Sequence, residues 1–145
     1  MANKTDKFGI KFWMIADVES KYMCNAFPYL GKDDLRPQSE PLSEYVVIKL
    51  MEPYIKSGRN VTTDNFFTSL KLGERLKALQ TSIVGTVKRT RREISEEVRS
   101  YKESLHSTNI LKSENGTTLT MYQGKKKNKN VLMLSTQPSR RYHWY

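Results

Sequence analysis

A strand–helix–strand pattern between residues 60 and 87 constrains the fold of this chain more than any other feature. A short β-branched run ends at Asp64, and the run SIVGTV (82–87) predicts another strand. Between them, an amphipathic helix is predicted from about Ser69, with three leucines on one face: Leu72, Leu76 and Leu79. Because strands joined by a single helix form parallel neighbours with a right-handed crossover, the pattern predicts an α/β fold.

The first forty residues predict an antiparallel hairpin. Two apolar runs, FGIKFWMIA (8–16) and YMCNAFPYL (22–30), are separated only by DVESK. The almost wholly apolar first run is typical of a strand that is covered on both faces. A polar loop follows, and then a helix that Ser43 can cap and Pro53 should end or kink. Together with the parallel pair, the hairpin predicts a mixed sheet.

Beyond residue 87 the pattern changes. The segment RREISEEVRSYKES predicts a short helix, and TTLTMY and VLMLS flank QGKKKNKN as a hairpin with a long basic tip. The last residues, SRRYHWY, show no periodicity. We therefore divide the chain into a tail (1–6), a core (7–87), a basic region (88–137) and an unstructured end (138–145).

The positive charge lies mainly in the C-terminal part of the chain. The chain has a formal net charge of +10, yet residues 1–87 hold 12 Lys and Arg against 10 Asp and Glu, whereas residues 88–145 hold 13 against 5. Two clusters concentrate this charge, and their members are Lys88, Arg89, Arg91 and Arg92, and Lys125, Lys126, Lys127 and Lys129. Each cluster is either a solvated loop or a binding surface for nucleic-acid phosphates. Aromatic stacking is not expected to add much, because Tyr122 is the only aromatic residue near either cluster in sequence.

Several classes of protein and site are excluded by composition. A single Cys24 and two His cannot form an internal disulfide or a Cys/His zinc site, and the chain has no motif of a hydrolase nucleophile or a phosphate-binding loop. No apolar run approaches the roughly 18 residues of a membrane span, and no signal peptide is recognised. We therefore predict an intracellular protein, nuclear or cytoplasmic, with no membrane partner.

Two acids stand at predicted strand ends. If the strands that end at Asp17 and Asp64 are parallel neighbours, both carboxylates emerge at one sheet edge and can approach a shared Mg²⁺, as two-metal phosphoryl-transfer sites require. The structural alternatives are a turn acid for Asp17 and an Asx turn or helix-dipole partner for Asp64. Residue patterns alone favour these alternatives. Phe66 and Phe67 are expected to fill the gap between helix and sheet rather than to stack on a base.

Longer stretches of the sequence carry a resemblance to a known family. The segments KFGIKFWMIADVESKYMCNAFPYLGK, LSEYVVIKLMEPYIKSGRNVTTDNFFTSLKLGERL and SIVGTVKRTRREI resemble the piggyBac transposase family and its transposable-element-derived relatives, from about Lys7 to Thr136. The resemblance implies a partial RNase H-like fold: a mixed sheet with crossover helices and a C-terminal basic β-hairpin insertion. It further implies DNA cut-and-paste chemistry, with three Asp residues that bind two Mg²⁺ or Mn²⁺ ions, DNA as partner and a possible dimer.

The resemblance assigns catalytic and metal-binding positions to Asp17 and Asp64. The family's third Asp has no counterpart, because no Asp occurs after Asp64. We therefore interpret the chain as a truncated catalytic-domain fragment, a remnant of an element, that is inactive by itself. Two alternatives remain open: a non-enzymatic basic DNA-binding module, and an inert transposon remnant.

Overall fold

The computed structural model describes residues 9–31, 36–101, 104–124 and 130–138. It divides into two compact units, Met1–Pro53 and Tyr54–Tyr145. No helix in the described part of the chain is both long enough and apolar enough to cross a lipid bilayer.

The first unit is a hairpin with one helix. Strands β1 (Lys11–Ala16) and β2 (Met23–Tyr29) pair antiparallel, as predicted, and helix α1 (Leu42–Met51) contacts both. The helix begins at Leu42, with Pro41 in the N-cap position and no side-chain cap, so Ser43 lies inside the helix and does not cap it. A 3₁₀ turn at Glu52–Tyr54 ends the helix and contains the predicted breaker, Pro53.

The prediction that the first strand is covered on both faces is wrong. Trp13 and Ile15 are partly buried on the face that includes Asn25 of β2, whose side-chain amide donates to the Leu50 carbonyl at 3.0 Å. On the other face Phe12 and Met14 are 49% and 60% exposed. The physical reason is that α1 meets one face of the two-stranded sheet, and no described residue of the first unit covers the other.

The second unit is built on a five-stranded mixed sheet. Strands β3 (Asn60–Thr63) and β4 (Ser82–Val87) are parallel and joined by α2 (Leu70–Ala78), which confirms the predicted crossover. Helix α3 (Glu96–Ser100) follows, and then three antiparallel strands: β5 (Thr108–Lys112), β6 (Thr118–Gln123) and β7 (Asn130–Ser135). The strand order is β3-β4-β7-β6-β5.

One apolar face of this sheet carries the core of the second unit. Leu72 and Leu76 of α2 are fully buried, as their spacing predicts. The segment after β4 packs on the same sheet through Ile94 and Val98, in a cluster that also includes Val87, Met121, Leu132 and Leu134. Burial of such side chains stabilises the fold by about 1.5–3 kcal/mol each, so the segment 88–101 is anchored by its apolar residues.

The prediction that the strands ending at Asp17 and Asp64 are adjacent in one sheet is wrong. The partner of β1 is β2, and the described partner of β3 is β4, so Asp17 and Asp64 follow strands of different sheets. The reason is that the crossover rule relates only strands of one sheet, so it does not place β1 beside β3. The proximity of the two carboxylates stays a prediction.

Some predictions concern other parts of the chain. The predicted hairpin around the basic tip is confirmed as β6 and β7, whereas Lys125, Lys126, Lys127 and Lys129 lie outside the described residues, as do most of the terminal tails. The predicted division at residue 87 falls between strands of one sheet, because β4 pairs with β7. Whether 88–137 is an insertion stays a prediction.

Candidate functional site

Asp17 lies in the tight turn between β1 and β2. Its Oδ2 accepts hydrogen bonds from the Ser20 amide at 2.8 Å and the Ser20 hydroxyl at 2.7 Å, and its backbone pairs with Tyr22 and Lys21 to close the hairpin. The Ser20 hydroxyl, then the Ser20 amide, lowers the pKa of the exposed Asp17 carboxyl below its ordinary value of 3.8. The Asp17 carboxyl is therefore ionised at neutral pH, and its carboxylate accepts hydrogen bonds from residues of its own turn.

Asp64 follows β3 and begins the loop that leads into α2. Its Oδ1 accepts from the amides of Phe66 at 2.9 Å and Phe67 at 3.4 Å, which is the geometry of an Asx turn. Its carbonyl accepts from the amides of Phe67 and Thr68 at 3.2 and 3.0 Å. The structure thus shows the predicted turn geometry for this acid, which orients the carboxylate through its own backbone.

A threonine pair fixes the loop against the sheet. The hydroxyl of Thr68 lies 2.7 Å from both the hydroxyl of Thr63 and the carbonyl of Asp64, and Thr68 is fully buried. Gly85 pairs with Thr63 in the parallel ladder, and a Cβ on Gly85 would lie 2.3 Å from the Thr68 hydroxyl and 2.4 Å from the Thr63 carbonyl. Only glycine leaves room for this arrangement, so Gly85 determines where the Asp64 loop rests on β4.

The segment after β4 holds the same loop from its other side. Arg91 donates to the Phe66 carbonyl at 2.9 Å, and Glu93 accepts from the Leu70 amide at 3.0 Å at the start of α2. The Glu93 carboxylate also faces the positive end of the α2 dipole, which adds to the Ser69 cap of that helix. Residues from three parts of the sequence therefore define the position of the Asp64 loop.

The first basic cluster separates into inward and outward residues. Arg89 donates to the side chain of Asn130 and the carbonyls of Arg99 and Tyr101, and Arg91 donates to Phe66, so both guanidinium groups are half-buried and serve the fold. Lys88 and Arg92 are exposed. Of the four predicted DNA-binding residues in this cluster, these two remain accessible as cations.

An aromatic ring lies beside this cluster in the fold, although no aromatic residue lies beside it in sequence, and the expectation that stacking adds little stays a prediction. The Phe66 ring is 39% exposed, and the Lys88 ammonium lies 5.8 Å from its centroid. Phe67 is half-buried and meets Phe66 edge-on, with ring centroids 5.0 Å apart. Phe66 is therefore not enclosed between helix and sheet as expected, since more than a third of its side chain reaches solvent.

The carboxylates fit the metal-ligand positions singly but do not form a complete site. Carboxylate oxygens are the ligands that hard divalent cations prefer, and the described side-chain and backbone donors to Asp17 and Asp64 come from the turn that each acid begins. Among the residues that the structure places, no group of three His, Cys, Asp or Glu could hold a metal ion.

Four positioning residues were not found from the sequence: Thr63, Thr68, Gly85 and Glu93. One signal was present, since a glycine inside the β-branched run SIVGTV marks a close approach of another backbone. The threonine pair and the Glu93 hydrogen bond depend on pairings across the fold, for which the local sequence carries no signal.

Comparisons with known proteins identify the family of this chain. A family model described as Transposase IS4 matches residues 1–142. Among solved structures, the chain is similar to piggyBac transposase in its synaptic complex with hairpin DNA, with 36% identity, a TM-score of 0.84 and 97% of this chain covered. The chain spans 29% of the length of that transposase chain. No curated protein matches the chain.

The similarity confirms the mixed α/β transposase fold that the motifs implied. It extends through both compact units, since 97% of the chain is covered. The chain is therefore a transposase domain of piggyBac type and belongs to the Transposase IS4 family.

Proposed function

We propose that this chain is a DNA-binding part of a piggyBac-type transposase catalytic domain, with two of the three metal-binding Asp positions and no strand-cleaving activity of its own. The observation that carries the proposal is the similarity, over 97% of the chain, to a transposase whose structure is a synaptic complex with hairpin DNA. Phosphate binding is assigned to Lys88 and Arg92, the exposed cations beside the Asp64 loop. The predicted tip cations Lys125, Lys126, Lys127 and Lys129 are proposed to bind further phosphates.

Asp17 and Asp64 are proposed as the metal-ligand positions. Each follows a strand, and each has a carboxylate oxygen that is oriented by local amides. A divalent ion, when bound at such carboxylates, supplies activation of the attacking oxygen and neutralisation of the leaving one. The proposed contribution of this chain is to hold two carboxylates in place, while no group of three possible ligands is found among the described residues.

Catalysis is tested with DNA that carries inverted terminal repeats. Purified chain with Mg²⁺ or Mn²⁺ should neither cleave nor join strands, because a site that lacks one carboxylate loses both metal affinity and geometry. Metal-dependent cleavage that disappears in Asp64→Asn would show that the chain is complete as an enzyme, and the proposed inactivity would then be wrong.

DNA binding is tested by fluorescence anisotropy on duplex DNA at several salt concentrations. Lys88→Ala and Arg92→Ala together should weaken binding and reduce the log–log salt slope by roughly 0.9 for each phosphate that the variant no longer neutralises. Neutralising the four tip lysines should act in the same direction. Lys112→Ala is the matched control and should leave the slope unchanged, because Lys112 is exposed on β5, at the opposite edge of the sheet from β3. A wild-type slope in both the Lys88/Arg92 variant and the tip variant would contradict the proposal.

A second candidate is a DNA-binding module without any metal role. The observation that favours it is the lack, within the described residues, of three ligands that could share a metal. Binding of Mn²⁺, followed by electron paramagnetic resonance, separates the two: loss of binding in both Asp17→Asn and Asp64→Asn supports the metal positions. DNA binding without Mn²⁺ binding supports the module. A chain that binds neither DNA nor Mn²⁺ would support the inert remnant. Dimerisation stays a proposal from family resemblance, and sedimentation analysis with and without DNA tests it.

A further inference from the structure

Phe66 is an exposed aromatic ring on a firmly held backbone. Its side chain is 39% exposed, although α2 and the sheet offer an apolar interior close by. Both polar groups of its backbone are engaged: the amide donates to Asp64 Oδ1 at 2.9 Å, and the carbonyl accepts from Arg91 at 2.9 Å. The ring is therefore presented outward by a loop whose position is set by β3, β4 and the segment after β4.

The ring also has a fixed neighbour that limits its orientation. Phe67 meets it edge-on at 5.0 Å with an interplanar angle of 86°, and Phe67 is itself half-buried. An edge-on arrangement uses the edge of one ring and the face of the other, and such pairs are stabilised beyond their buried area. Ordering of Phe66 before a ligand arrives lowers the entropy that binding would cost.

One cation lies beside this ring. The Lys88 ammonium is 5.8 Å from the ring centroid, and Arg92 follows four residues later as a second exposed cation. Proteins that bind single-stranded nucleic acid combine cations that follow the backbone with aromatic rings on which bases stack. Here Phe66 supplies the aromatic ring and Lys88 supplies the cation, and the Phe66 amide donates to the Asp64 carboxylate.

We propose that Phe66 is a stacking platform for an unpaired nucleobase of DNA whose adjoining phosphate binds Lys88. The proposal rests on the proposed DNA-binding function and adds to it a ligand class, a base that is out of the duplex. Bases within a duplex present their faces to each other, so only a single-stranded, flipped or terminal base can lie on the ring. The position of Phe66, two residues after Asp64, places this base beside the proposed metal-ligand carboxylate.

The first test compares variants of Phe66 on a single-stranded oligonucleotide of about ten nucleotides, by anisotropy at fixed low salt. Phe66→Ala should weaken binding by about 5- to 150-fold, which corresponds to the loss of one stacked base. Phe66→Trp should restore it, because tryptophan keeps a flat aromatic face. Phe12→Ala is the matched control, since Phe12 is 49% exposed on β1 and is expected to leave affinity unchanged. Circular dichroism checks that each variant folds.

The second test removes the base instead of the ring. A set of oligonucleotides with one abasic residue at successive positions should show one or two positions that weaken binding to the wild-type chain. Phe66→Ala should be insensitive to the same positions, because removal of the ring and removal of the base abolish the same interaction. If Phe66→Ala binds like the wild type, or still discriminates the abasic positions, the stacking proposal is overturned.

The outcome separates this proposal from the proposed function. Wild-type binding that depends on salt and is weakened by Lys88→Ala supports DNA binding, whatever Phe66→Ala does. If that holds and Phe66→Ala has no effect, the platform fails alone. If the wild-type chain binds no DNA at any salt concentration, both fail together.

Discussion

The two acids of the piggyBac pattern are held in different ways. Asp17 lies in an exposed hairpin turn, where the amide and the hydroxyl of Ser20 donate hydrogen bonds to its carboxylate. Asp64 begins a loop that is fixed by a buried threonine, a glycine on the next strand, and Arg91 and Glu93 from the segment after that strand. A local interaction places the first acid, and the tertiary fold places the second, so perturbations at a distance should affect Asp64 and leave Asp17 unchanged.

The largest effect is expected from a methyl group on Gly85. Gly85→Ala puts a Cβ 2.3 Å from the Thr68 hydroxyl and 2.4 Å from the Thr63 carbonyl, so backbone must move. We expect the free energy of unfolding to fall by about 1–3 kcal/mol or more, which urea denaturation measures. Gly9→Ala is the matched control, because no atom lies within 4 Å of its added Cβ. Equal stability of the two variants would show that the close approach on β4 is not present in solution.

A smaller loss of stability is expected from the half-buried arginine of the first basic cluster. Arg89→Ala removes donors to the Arg99 and Tyr101 carbonyls and to Asn130. Because water can reach the half-buried site and replace them, we expect the free energy of unfolding to fall by about 1–2 kcal/mol in total. Arg92→Ala, at an exposed position, should change unfolding free energy by less than about 0.5 kcal/mol. In DNA binding, Arg92→Ala should reduce the log–log salt slope, whereas Arg89→Ala should leave it unchanged. The reverse ranking in either measurement would contradict the division into inward and outward residues.

A comparable or smaller effect is expected at Thr68. Thr68→Val keeps the shape but removes the hydroxyl that bonds to Thr63 and the Asp64 carbonyl, at a cost of about 1–3 kcal/mol for partners left without a hydrogen bond. Thr68→Ser keeps the hydroxyl and should preserve the amide chemical shifts of Phe66 and Phe67, which Thr68→Val should move. The Asp17 turn serves as an internal reference, with no shift in either variant. Similar loop shifts in the serine and valine variants would argue against a role for the hydroxyl.

The smallest effect is expected at Asp17 itself. Its pKa is lowered in the folded chain by Ser20, so the ionised carboxylate stabilises the hairpin at pH above its unfolded value, and this contribution is lost as pH falls through the folded pKa. Ser20→Ala should raise the Asp17 pKa toward 3.8, as an NMR titration of the carboxyl carbon would show. The Phe66 and Phe67 amide shifts should not change in that variant. A pKa unmoved by Ser20→Ala would show that another group holds the carboxylate.

The elements that local patterns define were predictable from the sequence. The hairpin of β1 and β2, the parallel pair joined by α2, and the pair β6–β7 all follow from apolar periodicity and turn residues. Strand β5 lacked a clear signal, because it is short and mostly exposed. The predicted neighbouring of β1 and β3 was wrong, since the pairing partner of a strand is chosen by the tertiary fold and not by its own residues.

The candidate site was predictable in its acids and not in its surroundings. The motif around Asp64 located the carboxylate, whereas the inward arginines and the outward Phe66 depend on interactions between residues some 10 to 40 positions apart in sequence. From sequence alone, Arg89 and Arg92 are equivalent members of the first basic cluster. Only the fold distinguishes a guanidinium that holds carbonyls from one that is available to a phosphate.

The most direct measurement for the central claim is an NMR titration of the chain with single-stranded DNA in the absence of divalent ions. The account predicts that amide shifts concentrate on the loop 64–68 and on Lys88 and Arg92, while the turn 17–21 stays unperturbed. Shifts that concentrate on the turn 17–21 and spare the loop 64–68 would contradict the claim that the fold presents Phe66 and its neighbouring cations to DNA.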